Sequence, residues 1–387
     1  MEKKHISSIP INTRFASMSD NLILGIPFDG PLLPTTEGAS NRVYNLAKYL
    51  SLSGLKVNFL KCYRECDKIS KFKKESLETK INFFLIHPNI YYKNFKIIEN
   101  IIKKEKINFL QIKDPELILT LGVYLKKRYN FRICFDSHDA THVLLQRLGC
   151  KKSEINLSKF KELAANQYSD LHICVSTVDR KELIKIGCNE EKIKVIPNGV
   201  DTKTIKYVGP NLASKTVLFL GHMFYYPNTY AVQIICKKII PTVLKYDKKV
   251  NFLFVGACPI EIIKKYQNKN IKFVGPVENL NEYLKKATIA ISPLFHGSGT
   301  RIKILHYFAA GLPVISTELG AEGLDVKNNK HLILEDNITK YPKIILEMLE
   351  NVNNYKRMIK NARKLTEKKY DWNKLAKKLK KIYLKFM

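Results

Sequence analysis

The sequence predicts an α/β protein of two domains, each built on a parallel sheet flanked by helices. Three observations carry this. The chain has 387 residues, more than one core usually supports, and 45% are hydrophobic, enough for two packed units. Short apolar runs alternate with helical stretches stopped by glycine or proline. Residues 293–324, PLFHGSGTRIKILHYFAAGLPVISTELGAEGL, couple a glycine-hinged loop to a short helix opening with two cations.

Taken in order, residues 22–26 read as a strand, followed by a loop to Gly38, a helix over 40–52 ended near Gly54, and a strand over 56–60. That is one βαβ half-unit with a long first loop. Residues 134–142, CFDSHDATH, read as a strand whose end carries Asp136 and His138 at a carboxyl sheet edge. A histidine there is, by itself, more often a hydrogen-bonded structural group. The run 287–294 reads as a buried strand, 296–300 as a turn, and 301–310 as a helix ended by Gly311 and Pro313. Gly297 and Gly299 let the backbone approach a ligand closely, and the helix start offers free N–H groups with a partial positive charge of about half a unit. A lone G-x-G only satisfies turn geometry, but Arg301 and Lys303 beside it make the pattern that of a site for an anionic, phosphorylated ligand. Residues 312–316 read as a strand and 317–323 as a loop leaving its carboxyl end, the edge where open α/β sheets bind ligands. Near the end, Trp372, Leu375, Leu379, Ile382 and Tyr383 recur at near-helical spacing with lysines between them. An isolated peptide of this kind reads as a membrane-surface helix, whereas an apolar helical stripe ordinarily faces a core.

Pro293, Gly297, Gly299, Thr300, Arg301, Lys303, Gly311, Pro313, Val314, Ser316, Thr317, Gly320, Glu322 and Gly323 together resemble the donor-domain signature of retaining group-1 glycosyltransferases, in the branch that carries G-x-G-T-R. Residues 193–201 (IKVIPNGVD) resemble that family's domain junction, 217–228 (VLFLGHMFYYPN) its first donor-domain strand and loop, 252–256 its second strand, and 271–284 its next strand, loop and helix. The resemblance implies the GT-B architecture, two Rossmann-like domains facing across a cleft. It places an acceptor-side domain at 1–200, a nucleotide-sugar donor domain at 201–365, and a helix at 366–387 that crosses back onto the first domain. It implies transfer of a sugar from a nucleotide-diphosphate sugar to an acceptor hydroxyl, with configuration retained and no metal or other cofactor. His138, Arg301 and Lys303 take the catalytic positions. Gly38, Gly221, Asn228, Gly297, Ser298, Gly299, Thr300, His306, Thr317 and Glu322 take the donor-binding ones. The developing phosphate charge would be stabilised by Arg301, Lys303 and the loop amides.

The chain departs from the family pattern in three places. Many members carry two glutamates about two helical turns apart, where this chain has Ser298 and His306. The G-x-G-T-R branch lacks the first glutamate but keeps the second, so His306 is the anomaly; a neutral imidazole can accept one hydroxyl's hydrogen bond, not two. Many members follow the glycine matching Gly221 with an arginine and a lysine, and residues 222–228 hold neither. Gly38 is followed by Ala39, where most members have a second glycine.

Composition bounds the rest. Eight cysteines are scattered, and Cys62 with Cys66, lacking a second pair or nearby histidine, is a weak metal signal, so reduced thiols in a cytoplasmic protein are expected. His138, Asp139 and His142 are not expected to hold a metal. No apolar run is long enough to span a bilayer. The formal charge of +31 reflects either coding composition or attraction to anionic lipid headgroups, a nucleotide-sugar or nucleic acid. Nucleic acid is the least favoured, because no recognition motif for it is present. A glycosyltransferase in glycan biosynthesis, acting on a glycan, lipid-linked or protein acceptor, is thus the first expectation. A catalytically degenerate GT-B scaffold and a basic protein peripheral to the cytoplasmic membrane face are the alternatives.

Overall fold

The computed structural model describes residues 22–387 apart from Pro34, Thr36, Cys66, Asn89, Ile90 and residues 92–94. The chain forms the expected two-sheet α/β architecture. The first sheet contains β1 (Ile23–Phe28), β2 (Lys56–Cys62), β3 (Asn82–Ile86), β4 (Phe109–Ile112), β5 (Arg132–Asp136), β6 (Leu171–Cys174) and β7 (Ile193–Val195), in the order β3-β2-β1-β4-β5-β6-β7. The second contains β8 (Thr216–Leu220), β9 (Asn251–Val255), β10 (Ile271–Phe273), β11 (Ile289–Ser292), β12 (Val314–Ser316) and β13 (Ile333–Leu334), in the order β10-β9-β8-β11-β12-β13. Every pairing is parallel. Covered on both faces by helices, such strands become continuous apolar runs, as in Val217, Leu218, Phe219 and Leu220, all buried. In each sheet the strand order reverses beside its first strand, at β1/β4 and at β8/β11. Loops leaving the carboxyl ends there frame a crevice.

Six helices matter for the site: α1 (Gly38–Leu52), α2 (Ile69–Thr79), α3 (Thr141–Arg147), α4 (Tyr226–Ile234), α5 (Ile302–Ala310) and α6 (Trp372–Tyr383). α1 starts before residue 40, because Ser40 Oγ accepts the Glu37 N–H at 3.3 Å and donates to Glu37 O at 3.0 Å, forming a cap ahead of Gly38. β11 is shorter than the apolar run 287–294 suggests; Pro293 has no N–H to continue the ladder past Ser292. Arg301 lies in extended backbone as the cap of α5 rather than inside it, and Gly311 ends the helix in the left-handed conformation.

α6 packs on α1. Trp372, Leu375, Leu379 and Tyr383 share a core with Leu46, Leu50 and Phe109. The crossing is pinned by the Val200 N–H donating to Tyr370 O at 2.8 Å and the Trp372 N–H to Val200 O at 3.2 Å. A side chain at Gly199 would meet Tyr370 O at 2.7 Å, so that contact needs glycine. Seven cysteines are free thiols, and Cys66 lies outside the described residues. Among the described residues, no helix is long and apolar enough to cross a membrane.

Candidate functional site

The second sheet's switch point places three loops together. After β8, Gly221 packs so tightly against Gly256, at the end of β9, that a Cβ at Gly256 would lie 2.0 Å from Gly221 O. The following turn enters α4 at Pro227 and Asn228, and Asn228 is fixed by donating from Nδ2 to His222 O at 2.9 Å. From the second residue of α5, Lys303 reaches back. Its Nζ donates to Asn228 Oδ1 at 2.7 Å and lies 4.1 Å from the centroid of the Phe219 ring. Burial, reinforced by the charge of Arg301, holds the Lys303 ammonium well below its ordinary pKa. A cation kept in such a place without a carboxylate partner is poised for an anion.

The loop between β11 and α5 is shaped by its carbonyls. Gly297 and Gly299 have positive φ (108° and 71°), which the loop's path requires. Arg301 Nη1 donates to Ser298 O and, at 3.0 Å, to Gly299 O, while Arg147 Nη1 donates to Gly297 O at 2.9 Å. Each trans peptide points its N–H opposite to its C=O. Guanidinium groups on three successive carbonyls therefore turn the amides of Ser298, Gly299 and Thr300 to the other side. Among the described residues those amides have no protein acceptor. Ser298 Oγ, Thr300 Oγ1, and Nε and Nη2 of Arg301 are likewise buried without partners. Buried polar groups are ordinarily satisfied, so such a concentration of unmet donors marks a ligand position. Burial also depresses the pKa of the Arg301 guanidinium, which stays charged.

The first domain closes the other side. His138 follows β5, and its carbonyl lies against Gly299, where a Cβ would be 2.9 Å away. Its imidazole Nε2 is 3.7 Å from Asp136 Oδ2, and neither ring nitrogen has a hydrogen-bond partner. Burial lowers the His138 pKa against the opposing pull of Asp136, so the ring is neutral at pH 7. Asp136 is itself held by Arg42 on α1, whose Nε donates to Oδ1 at 2.8 Å, and by Gln111 Nε2, which donates to Oδ2 at 2.6 Å. Tyr383 on α6 donates to Gln111 Oε1 at 2.9 Å, so the crossing helix reaches the same network. Gly38, at the start of α1, faces Ile302 across the crevice, 3.9 Å from where its Cβ would be.

Two family models divide the chain: the one described as Glycosyltransferase Family 4 matches residues 36–204, and the one described as Glycosyl transferases group 1 matches residues 214–351. Between them they cover every strand of both sheets except β1. The chain belongs to the group-1 glycosyltransferases. A related sequence from Klebsiella pneumoniae, an uncharacterised 44.6 kDa protein in the cps region, is 22% identical over 375 residues, 88% of this chain and 95% of its own. Among solved structures, a glycosyltransferase from Rickettsia africae superposes with a TM-score of 0.73 at 17% identity, covering 95% of this chain and 98% of its own. HepE from Anabaena, solved in complex with UDP and glucose, gives a TM-score of 0.73 at 13% identity, covering 94% and 99%. These likenesses show the GT-B fold, and the group-1 assignment makes the chain a glycosyltransferase.

Within that glycosyltransferase, the residues singled out in the sequence fall into three groups. Gly221, Asn228, Gly297, Ser298, Gly299, Thr300, Arg301 and Lys303 converge at the second switch point, with His138 and Gly38 opposite. His306, one turn along α5 from Lys303, is pushed by burial to a pKa of about 4 and is therefore neutral. Thr317 and Glu322 are already engaged. The Thr317 hydroxyl donates to Leu294 O at 2.5 Å and accepts the Gly320 N–H at 2.9 Å, while Glu322 receives both Nη atoms of Arg147, at 2.6 and 2.8 Å. His142 pairs with Glu162 at 2.6 Å, away from His138, and among the described residues no three His, Cys, Asp or Glu side chains converge as metal ligands do. Sequence reasoning missed Arg147, Phe219, Gly256 and the Arg42–Asp136 pair. The glycine closing the apolar run 252–256 was a readable signal; a lone arginine at a helix end was not.

Proposed function

We propose that this glycosyltransferase moves a sugar from a nucleotide-diphosphate sugar to an acceptor hydroxyl with retention of configuration. The observation that carries the reading is the cluster of unmet donors at the start of α5: Arg301 Nε and Nη2, Ser298 Oγ, Thr300 Oγ1 and the 298–300 amides, beside half-buried Lys303. A diphosphate supplies the acceptors and the charge these groups lack. As the sugar–phosphate bond breaks, negative charge grows on the leaving phosphate, and donors already in place stabilise it without reorganising. The reading assigns that task to Arg301, Lys303 and the loop amides rather than to a metal ion. Asn228 positions Lys303, and neutral His138 lies on the first-domain side, beside the transferred sugar, as a hydrogen-bonding group. That HepE was solved with UDP and glucose in the same fold supports a nucleotide-sugar donor.

The acceptor is a glycan, a lipid-linked saccharide or a protein, reached from the cytoplasm. Lysine-rich surfaces on a chain of charge +31 would favour residence at an anionic membrane face. His306 favours a second reading, a degenerate donor site, because a neutral ring stands where a carboxylate would hold the ribose. Incubation with UDP-, GDP- and ADP-sugars, following nucleotide release and the anomeric configuration of any product by proton NMR, separates the two. Release from one donor class with a retained product supports transfer; binding without release supports the degenerate site.

A further inference from the structure

The segment from β5 to the end of α3 carries two groups that face the donor domain: His138 at its start and Arg147 at its end. Arg147 has its N–H groups directed at two donor-domain partners. Nη1 reaches Gly297 O at 2.9 Å, and Nη1 and Nη2 grip the two Glu322 oxygens at 2.6 and 2.8 Å. Both side chains are largely shielded, 30% and 20% exposed. This differs from an ordinary surface pair, which water screens to near neutrality. It also differs from Lys71–Glu278, which spans the domains at 3.1 Å through a glutamate 88% exposed.

From this geometry we infer that Arg147 is a positioning residue for sugar transfer. It fixes the Gly297–Ser298 peptide, so the Ser298 N–H faces the donor diphosphate, and its pair with Glu322 brings that loop against His138. A bidentate arginine–carboxylate pair sets orientation as well as distance, which a lysine at the same place would not. Because the peptide preceding Ser298 follows Gly297, a glycine with positive φ, its own backbone preferences leave it free to turn over. Arg301 holds the next two carbonyls, and Arg147 alone holds this one. Glu322, expected to bind the donor, instead receives the first-domain arginine. The inference rests on the reading that residues 297–303 take the donor diphosphate.

The test compares wild type with Arg147→Ala by three readouts. Amide hydrogen exchange over residues 297–300, measured without any nucleotide, is expected to quicken at least tenfold. Turnover of whichever nucleotide-sugar the wild type uses is expected to fall at least tenfold. The unfolding midpoint followed by Trp372 fluorescence is expected to hold. Unchanged exchange and turnover would overturn the inference and leave an ordinary ion pair; a turnover loss that tracks a lowered unfolding midpoint would overturn it in favour of a structural role. Should the wild type bind no nucleotide, the donor reading itself fails, and the exchange measurement still decides whether Arg147 orders the loop.

Discussion

Asp136→Ala is expected to destabilise the first domain severely, and the structure sets the size. Asp136 is 0% exposed at the end of β5, and Arg42, also 0% exposed, approaches its Oδ1 with Nε and Nη2, each at 2.8 Å. Burial alone would raise the carboxyl pKa, but Arg42 and His138 outweigh it and hold the group ionised well below the usual range. Removing the carboxylate strands a guanidinium whose remaining contacts are to the carbonyls of Ile196 and Pro197 and to Asn198 Oδ1. Breaking one partner of a buried pair costs about 3–5 kcal/mol. That is a large share of a total stability of roughly 5–15 kcal/mol. Replacing both charges with apolar groups, Arg42→Met with Asp136→Leu, removes the stranded charge and should recover at least about half of the loss. The assay is built into the chain: Trp372 is the sole tryptophan and sits in the first core, so its fluorescence in urea reports that domain. A single-variant loss below about 1 kcal/mol, or a double variant no better than the single, would refute the reasoning.

Two further outcomes follow from the site. Lys303 is depressed by burial when the site is empty, and a diphosphate beside it would raise its pKa again, so nucleotide binding should take up a proton. Above pH 7, where the nucleotide's terminal phosphate is already ionised, affinity should therefore fall as pH rises; calorimetry in two buffers of different ionisation enthalpy would show the uptake, and Lys303→Met should abolish it. His306→Glu should tighten nucleotide binding about threefold to tenfold, the worth of one net hydrogen bond of about 0.5–1.5 kcal/mol to the ribose; no gain by titration would mean that His306 does not face the ribose.

The fold was legible because its signals are local. Apolar runs of strand length, glycines at strand ends and the Gly311 and Pro313 stop were enough to place β1, β2, β5, β11, β12 and α5; β7 to β10 rested on the family resemblance, and β3, β4 and β13 went unassigned. Boundaries drifted where one side-chain property decided them, as when Pro293 ended β11 early or Ser40 moved the start of α1. The proximity of the glycine loop to the start of α5 was legible too, since Gly297, Gly299, Arg301 and Lys303 lie within seven residues of each other. What escaped was long-range pairing. Arg147 and Glu322 are separated by 175 residues, and Arg42 and Asp136 by 94, so no window contains both partners. Thr317 and Glu322 were expected to face the donor because the family resemblance implies it. Which groups that loop's side chains would find was set by the opposite domain and by the Leu294 carbonyl beyond β11.

The central claim is that half-buried Arg301 and Lys303, with the amides after Gly297, form a working nucleotide-diphosphate site. Calorimetric titration of the purified chain with UDP, GDP and ADP, repeated on Lys303→Ala, tests it most directly. The account predicts micromolar binding of one nucleotide, weakened at least about tenfold in the variant, as expected for a lost charge-assisted contact of about 1.5–3 kcal/mol. Binding of no nucleotide, or equal binding by the variant, would contradict it.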